Sequence, residues 1–166
     1  MSSGVDDHES RTASARGSAD GEGDREATLR LMITLGRTYR ELERGVRPQL
    51  AERGLGISEF AVLEALYHKG PMTLGAICDR ILVTAASTTY VVDKLEERGL
   101  VRRVAGEDDQ RTVIGELTQK GRALVADVFP EHVEQLRELM SGLSLAEKHA
   151  AVALLRRLTT GASADQ

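Results

Sequence analysis

The chain has 166 residues, of which 41% are apolar and 29% charged, and this is enough for one domain with an apolar core. It contains no Trp, three Tyr and two Phe, so the core must be mainly aliphatic, which favours helices. No apolar run approaches the roughly 18 residues of a membrane span, and the N-terminus lacks the apolar stretch of a signal peptide. We therefore expect a cytoplasmic protein without membrane partners. The single cysteine, Cys78, excludes an internal disulfide and fits a reducing compartment.

The acidic balance of the chain is concentrated at its N-terminus. The net charge is −4, and residues 1–26 hold seven acids and three arginines, whereas the remainder has 19 acids and 19 bases. A neutral folded part can present a basic surface only by segregating its charges. Residues 1–25 carry almost no large apolar side chain, so burial cannot offset their chain entropy, and we predict a disordered acidic tail.

A helical apolar period begins just after this tail. From Ala27 to about Leu50 the apolar side chains recur in steps of three and four, which predicts an amphipathic helix that Pro48 bends or ends. The domain predicted from the segments that follow cannot cover this stripe alone. We therefore interpret residues 26–53 as an N-terminal dimerisation helix.

Three shorter helices are predicted after the break at Gly54-Leu55-Gly56. They are expected at 59–67 with Ser58 as N-cap, at 74–81 with Thr73 as N-cap, and from Thr84 to about Arg98 with Thr84 as N-cap. The last two are separated by a connection of about three residues, which is the spacing of a helix-turn-helix. Gly99 supplies the C-terminal stop of the second.

The segment that follows alternates like a β-hairpin and then becomes helical again. Strands are predicted at 100–104 and 111–117 around a polar turn, and a hairpin directly after a helix-turn-helix is a wing. Thr118 caps a long helix to about Met140, and Ser144 with Glu147 fits a capping box before a last helix to about Leu158. The predicted fold is mainly α with a small β-hairpin wing. Residues 54–118 form a winged helix-turn-helix, flanked by the N-terminal dimerisation helix and by C-terminal dimerisation helices at 119–160.

Small residues open the second helix of the pair. A major groove about 12 Å wide admits a helix whose leading side chains are short or polar, and residues 85–89 meet that condition. Hydroxyl groups can bond phosphates or base edges, and the helix N-terminus favours phosphate. Tightly packed helices also use small residues, so this pattern alone leaves both readings open.

In the wing, Arg111 is suited to a minor groove with Asp109 fixing its geometry, although an ordinary surface hairpin would carry similar ion pairs. The predicted DNA-binding residues are Thr84, Ser87, Thr88, Thr89, Tyr90, Lys94, Arg103, Asp109 and Arg111.

These segments together resemble the MarR family of winged helix-turn-helix regulators. The similarity covers about residues 29–158 and is carried by EFAVLEAL, DKLEERGLV, the wing Asp-x-Arg and the LTQKG that opens the long helix. Tyr90–Lys94 and Phe129–His132 are also similar to a subgroup that responds to quinones, hydroquinones or related phenolics. The resemblance implies a homodimer with intertwined terminal helices, a palindromic operator in double-stranded DNA, and repression relieved by a small aromatic effector.

The wing departs from the family pattern. Gln110 stands where the family often has arginine, and the bases and acids between Arg80 and Arg111 are equal in number. We therefore expect modest non-specific affinity, a shallow salt dependence and a larger share of binding on the recognition helix.

Other functions have weaker support in the sequence. A winged-helix module that binds protein instead of DNA is the main alternative, and a redox role for Cys78 is a further one. The four histidines are scattered without zinc-ligand spacing, and no catalytic constellation or phosphate loop is present. We therefore predict no enzyme activity, no metal and no cofactor. His68 and His132 are candidates for an effector pocket that the sequence does not otherwise locate.

Overall fold

The computed structural model describes residues 6–81, 85–106 and 112–162. Its elements, in chain order, are α1 (Asp6–Glu52), α2 (Ile57–Lys69), β1 (Met72–Thr73), α3 (Leu74–Ile81), α4 (Ala85–Glu97), β2 (Val101–Ala105), β3 (Val113–Leu117), α5 (Gln119–Leu139) and α6 (Leu145–Ala162). The predicted fold class, mainly helical with a small antiparallel sheet, is confirmed. The chain separates into two compact units with the boundary between Leu42 and Glu43, inside the predicted dimerisation helix.

In the first unit, α1 begins at Asp6 and therefore includes most of the segment 1–25 that was predicted to be a disordered tail. Residues 6–25 contain no proline, and lengthening an existing helix costs less than nucleating a new one. In the described part of this unit nearly all side chains are exposed. Local contacts support it: Arg30 pairs with Glu26, and the Thr34 hydroxyl donates to the Arg30 carbonyl at 2.7 Å.

The C-terminal end of α1 also runs past its proline. Pro48 lies inside the helix, which continues to Glu52 instead of ending near Leu50. A proline close to a helix end removes one backbone hydrogen bond. Burial of Val46 and Leu50 offsets that loss, since both side chains lie in the core of the second unit.

The core of the second unit forms around α2. This helix packs against α3, α4, α5 and β3, and it is apolar on most sides, as its sequence predicts. These four helices, the C-terminal end of α1 and the sheet enclose one aliphatic cluster, whose buried members include a single phenylalanine. Its buried members are Val46, Leu50, Leu55, Phe60, Val62, Leu63, Leu66, Ile77, Val91, Val92, Leu95, Leu100, Val101, Val125 and Val128.

Among the described residues, three of the four predicted capping residues are confirmed, and Thr84 lies outside that part of the chain. Thr73 accepts from the Ala76 N–H at 3.1 Å, Thr118 accepts from the Gly121 N–H at 3.0 Å, and Ser144 forms the expected capping box with Glu147. The exception is α2, whose N-cap is Gly56 and not Ser58. The Glu59 carboxylate reaches back to the Gly56 N–H at 2.7 Å, so the helix starts two residues earlier.

The sheet has the order β1-β3-β2, with both pairings antiparallel. Val101 faces Leu117 and Ala105 faces Val113 in the predicted wing, and the Gly106 N–H donates to the Thr112 carbonyl at 2.8 Å where the strands separate. The short strand β1 pairs Met72 with Gly115 and was not predicted, because a two-residue strand has no period to detect.

Candidate nucleic-acid interface

The recognition helix α4 has one buried and one exposed face. Val91, Val92 and Leu95 are buried as predicted and fix the helix on the domain core. On the opposite side the structure exposes a mixed polar and aromatic surface. It comprises Ser87, Thr89, Tyr90, Asp93, Lys94 and Glu97, with Tyr90 63% exposed.

Thr88 is a correction to the predicted set of DNA-binding residues. Its side chain is only 1% exposed, among the most buried in the protein. It lies on the buried face because it precedes Val92 and Leu95 by four and seven residues, which is helical spacing. Its hydroxyl therefore cannot reach a groove. Thr88 instead packs against the domain core, on the same side of α4 as Val92 and Leu95.

Lys94 is exposed but electrostatically anchored. Its Nζ lies 3.2 Å from Glu59 Oε1 and 5.7 Å from the centre of the Tyr90 ring. Arg98 approaches the second carboxylate oxygen of Glu59 at 3.5 Å. A buried acid on α2 thus aligns Lys94 of α4 and Arg98 directly after this helix, and Lys94 lies beside Tyr90 on the exposed face.

Glu59 is a positioning residue that the sequence analysis did not identify. Burial alone would raise the pKa of its carboxyl, but the Gly56 N–H and the charges of Lys94 and Arg98 lower the pKa below its ordinary value. The carboxylate is therefore ionised in the folded protein under neutral conditions. The detectable signal was an acid at the third position of a helix after a glycine, which is typical of a capping box.

Arg103 also takes a different role from the one predicted. Its guanidinium pairs with Asp93 at 2.6 Å and with Glu96, and the backbone N–H of Arg103 donates to the Glu96 carboxylate at 3.1 Å. Burial lowers the pKa of this group, whereas the two carboxylates raise it above its ordinary value. Because its guanidinium is already paired with two carboxylates, Arg103 links β2 to α4 and is not available for a phosphate contact. The neighbouring Arg102 pairs with Glu116 across the wing.

Three predicted residues lie outside the described residues: Thr84, Asp109 and Arg111. Their roles at the helix start and in the wing stay predictions. Cys78 is half-buried on α3, and in the ranges 6–81, 85–106 and 112–162 no group of three or more potential ligands could hold a metal ion.

A cluster of aromatic and imidazole rings lies between α2 and α5. Phe60 and His132 have ring centroids 4.6 Å apart, His68 and Phe129 are separated by 4.7 Å, and Tyr67 meets His68 edge-on at 5.2 Å. His132 is buried, and its Nδ1 has no hydrogen-bond partner among the described residues. Burial lowers the pKa of His132, and nearby Glu64 opposes this only in part, so the ring is neutral near pH 7.

This geometry defines a class of protein. A helix-turn-helix with an exposed polar recognition face, followed by a two-stranded wing, is the architecture of a DNA-binding transcriptional regulator. Residues 55–113 match the profile of the MarR family.

Relatives extend this match over most of the chain. The HTH-type transcriptional regulator MhqR of Bacillus subtilis (strain 168) is 41% identical over 133 residues, covering 80% of this chain and 92% of MhqR. The chain belongs to the MarR family.

Solved structures share the fold. The Bordetella bronchiseptica regulator BpsR, whose DNA binding is regulated by 6-hydroxynicotinic acid, superposes with a TM-score of 0.69 at 30% identity, covering 76% of this chain and 91% of BpsR. A variant of E. coli MarR complexed with operator DNA has a TM-score of 0.70 at 22% identity, covering 77% of this chain and 92% of that one. In the part of the chain that is described, no helix is long and apolar enough to cross a membrane.

Proposed function

We infer that the protein is a homodimeric repressor that binds a palindromic operator and is released by a small aromatic or phenolic ligand. The observation that carries this function is the exposed face of α4, which presents Ser87, Thr89, Tyr90 and Lys94 on a helix held rigidly by its buried face. Such a regulator acts on DNA in the cytoplasm and needs neither a cofactor nor catalytic groups.

The α4 face supplies contacts of different kinds. Ser87 and Thr89 are short enough for close approach and bond phosphates or base edges, while Tyr90 stacks against sugar or bonds a phosphate. Lys94 contributes charge to the backbone contact. For the wing and the helix start the proposal rests on the sequence alone: Arg111 and Asp109 are assigned to the minor groove, and Thr84 is assigned to a phosphate contact.

Uncovered apolar side chains support the homodimer. In the first unit Met32 is 73% exposed, and in the second unit large apolar residues at the end of α5 and along α6 are open to solvent. Soluble monomers rarely expose contiguous patches of this kind, and a two-fold partner covers them. In the second unit the exposed large apolar residues of this region are Val133, Leu139, Met140, Leu143, Leu145, Val152, Leu154, Leu155 and Leu158.

Charge in the centre of that surface should break the dimer. We expect Leu154→Glu to shift the sedimentation coefficient at micromolar concentration towards that of the monomer, because a buried carboxylate would lack a partner. Leu154→Met keeps the apolar contact and should sediment like the parent protein. A Leu154→Glu variant that remains fully dimeric would exclude α6 from the interface.

The ligand class rests on resemblance and on the ring cluster. The motifs at Tyr90–Lys94 and Phe129–His132 resemble those of quinone- and hydroquinone-responsive members, and BpsR responds to a hydroxylated aromatic ring. In this chain Tyr67, His68 and Phe129 offer faces and edges that suit such a ring.

The regulator function is tested by fluorescence anisotropy on the DNA immediately upstream of the protein's own gene and on a scrambled duplex of equal length. We expect at least roughly a hundredfold preference for the upstream DNA, within the range of specific regulators. Tyr90→Ala and Lys94→Gln should each weaken operator binding roughly tenfold, the effect of losing one good contact. Arg137→Gln removes the same charge from an exposed site on α5 and should leave affinity within about twofold.

Acidic residues on the same face give the alternative function its support. Asp93 and Glu97 are exposed on α4 beside the proposed contacts. Equal and weak binding to both duplexes, unaffected by Tyr90→Ala, would favour a protein-interaction module. Release of a specific complex by a hydroquinone, but not by benzoate at equal concentration, would identify the ligand class.

A further inference from the structure

A groove runs along one side of α4, within the second unit. The last turns of α1 and the first turn of α2 form its opposite wall, and its volume is about 410 Å³. It shares no residue with the aromatic ring cluster between α2 and α5. Its polar lining consists of Glu43, Arg47, Ser58, Glu59, Tyr90 and Lys94.

The groove is continuous with the proposed DNA-binding face of α4. Tyr90 and Lys94 belong to both, and the Tyr90 side chain is largely exposed. A DNA strand that contacts these two side chains therefore passes the groove, and its phosphates repeat about every 3.4 Å along the helix axis. The wall formed by α1 and α2 then lies beside the DNA backbone.

This wall carries an unpaired cation. Arg47 on α1 is exposed, and among the described residues its guanidinium has no hydrogen bond and no ion pair. Glu43 stands one turn earlier on the same helix, yet the two groups do not pair. By contrast, Arg53, Arg98 and Arg103 in the same unit each pair with a carboxylate. The Arg47 guanidinium thus keeps its N–H donors free, and its planar fork matches the geometry of a phosphate.

Ser58 adds an unused hydroxyl to the same wall. The sequence predicts this residue as the N-cap of α2, but the helix begins at Ile57, and Ser58 lies inside its first turn. The side chain is half-buried in the groove and has no hydrogen-bond partner in the part of the chain described. Serine hydroxyls and arginines are both common phosphate-binding groups in protein–DNA complexes. The wall therefore offers a charged and a neutral donor in one groove.

The two acids of the groove have unequal effects. Glu59 accepts from the Gly56 N–H and pairs with Lys94 and Arg98, so its charge is compensated within the protein. Glu43 has no ion pair within the described ranges, and it opposes an anion in the groove. Lys94 and Arg98 together exceed the charge of Glu59, so the region keeps a positive excess that suits a phosphate.

A second copy of the chain is a less suitable occupant. The last large apolar side chain that α1 exposes is Tyr39, and further along the helix Val46 and Leu50 are buried in the domain core. The stretch that carries Arg47 therefore lacks the exposed apolar surface that forms the centre of a dimer interface.

We propose that Arg47 and Ser58 bind a phosphate of the DNA backbone beside the bases that α4 contacts. This inference rests on the proposed function and extends the DNA-contacting surface from α4 to α1 and α2. Arg47 donates N–H groups to the phosphate oxygens, and Ser58 adds its hydroxyl. Such contacts carry no sequence information, but they fix the position of α4 against the DNA.

The proposal is tested by fluorescence anisotropy of the full-length protein on the upstream DNA and on the scrambled duplex, at several salt concentrations. Arg47→Gln should weaken binding to both duplexes by a similar factor, roughly fivefold, and should lower the slope of log affinity against log salt by about 0.9. Arg47→Lys keeps the charge and should keep the slope. Glu43→Gln should strengthen binding to both duplexes roughly twofold, because it removes an opposing charge. Arg137→Gln, on exposed α5, is the control and should leave both the affinity and the slope unchanged.

Uncharged phosphates locate the contact. Single methylphosphonates are placed one at a time along each strand of the upstream DNA, and the loss of affinity is compared between the parent protein and its variants. At one backbone position the parent should lose affinity while Arg47→Gln shows no further loss, since the two changes remove the same contact. Ser58→Ala should reduce the loss at that same position only in part.

The outcomes separate this inference from the proposed function. Equal effects of Arg47→Gln and Arg137→Gln would overturn the inference, because only net charge would then matter. A loss confined to the upstream DNA would assign Arg47 to a base and would also overturn it. An operator preference that Tyr90→Ala weakens and Arg47→Gln leaves unchanged would remove the inference and keep the proposed function. Where the upstream DNA is not preferred, the proposed function fails, and the comparison of Arg47→Gln with Arg137→Gln on the scrambled duplex still decides the phosphate contact.

Discussion

Replacing Gly121 with alanine should destabilise the protein by about 3 kcal/mol, at the upper end of the usual cost of overpacking. Gly121 lies in the first turn of α5, and a Cβ there would lie 2.0 Å from the Leu100 carbonyl oxygen and 2.9 Å from its carbon. Both are backbone atoms. The same oxygen accepts the Thr118 N–H at 3.1 Å, so neither segment can move without breaking the junction between wing and long helix.

Urea unfolding followed by circular dichroism measures this effect. Gly75→Ala is the matched control, because a Cβ at this helical position in α3 meets only Thr73 Oγ1, at 3.9 Å. Its expected result is a gain of about 0.5 kcal/mol from lower chain entropy in the unfolded state. An unfolding midpoint for Gly121→Ala equal to that of the parent protein would show that α5 does not approach Leu100 so closely.

The second large effect is expected for Glu59→Gln, which keeps the shape of the side chain and removes its charge. The variant should lose about 2 kcal/mol of unfolding free energy at pH 7, because Lys94 and Arg98 lose a largely buried partner. The hydrogen bond to the Gly56 N–H can persist through the amide oxygen. The loss therefore reports the ion pairs that align α4.

The pH dependence of this loss has a defined sign. The pKa of Glu59 is lower in the folded protein than its ordinary value of 4.5, so the folded state binds this proton less tightly than the unfolded state. The stabilisation is fully present above the unfolded pKa and disappears as the pH falls through the lower folded pKa. The difference between parent and variant should be constant from pH 8 to about pH 5 and should shrink at more acidic pH.

His132 makes the comparison of two proteins necessary. Burial lowers its pKa below 6.5, so its neutral form is stabilised by folding, and this contribution is lost as the pH falls below that value. Both proteins share this change, and it cancels in their difference. Glu22→Gln removes an exposed carboxylate and should follow the parent curve throughout. A Glu59→Gln difference that grows towards low pH would contradict the assigned ion pairs.

Local patterns in the sequence were sufficient for most elements. The caps at Thr73, Thr118 and Ser144 depend on residues three positions apart, and the helix-turn-helix spacing depends on two neighbouring helices. The Gly99 stop is likewise local: its φ of 66° is a conformation that glycine adopts at little cost. Such interactions are encoded within one or two turns, so the sequence predicts them directly.

The site was harder to predict, because a residue type does not reveal its partners. Thr88 has the same chemistry as the exposed Thr89, and only the rotation of α4 against the core separates them. From the sequence Arg103 is a candidate for phosphate binding, but in the structure its guanidinium is paired with Asp93 and Glu96. Glu59 pairs with bases 35 and 39 positions further along the chain, beyond the reach of any local pattern.

By itself the sequence determined the helical class, the winged helix-turn-helix and the small polar face at the start of its second helix, because periodicity, capping and turn residues act locally. The tertiary structure decided which of those polar residues remain exposed and which bases are occupied by carboxylates. These outcomes depend on long-range contacts between α2, α4, α5 and the sheet, whose energies the order of residues along one segment does not specify.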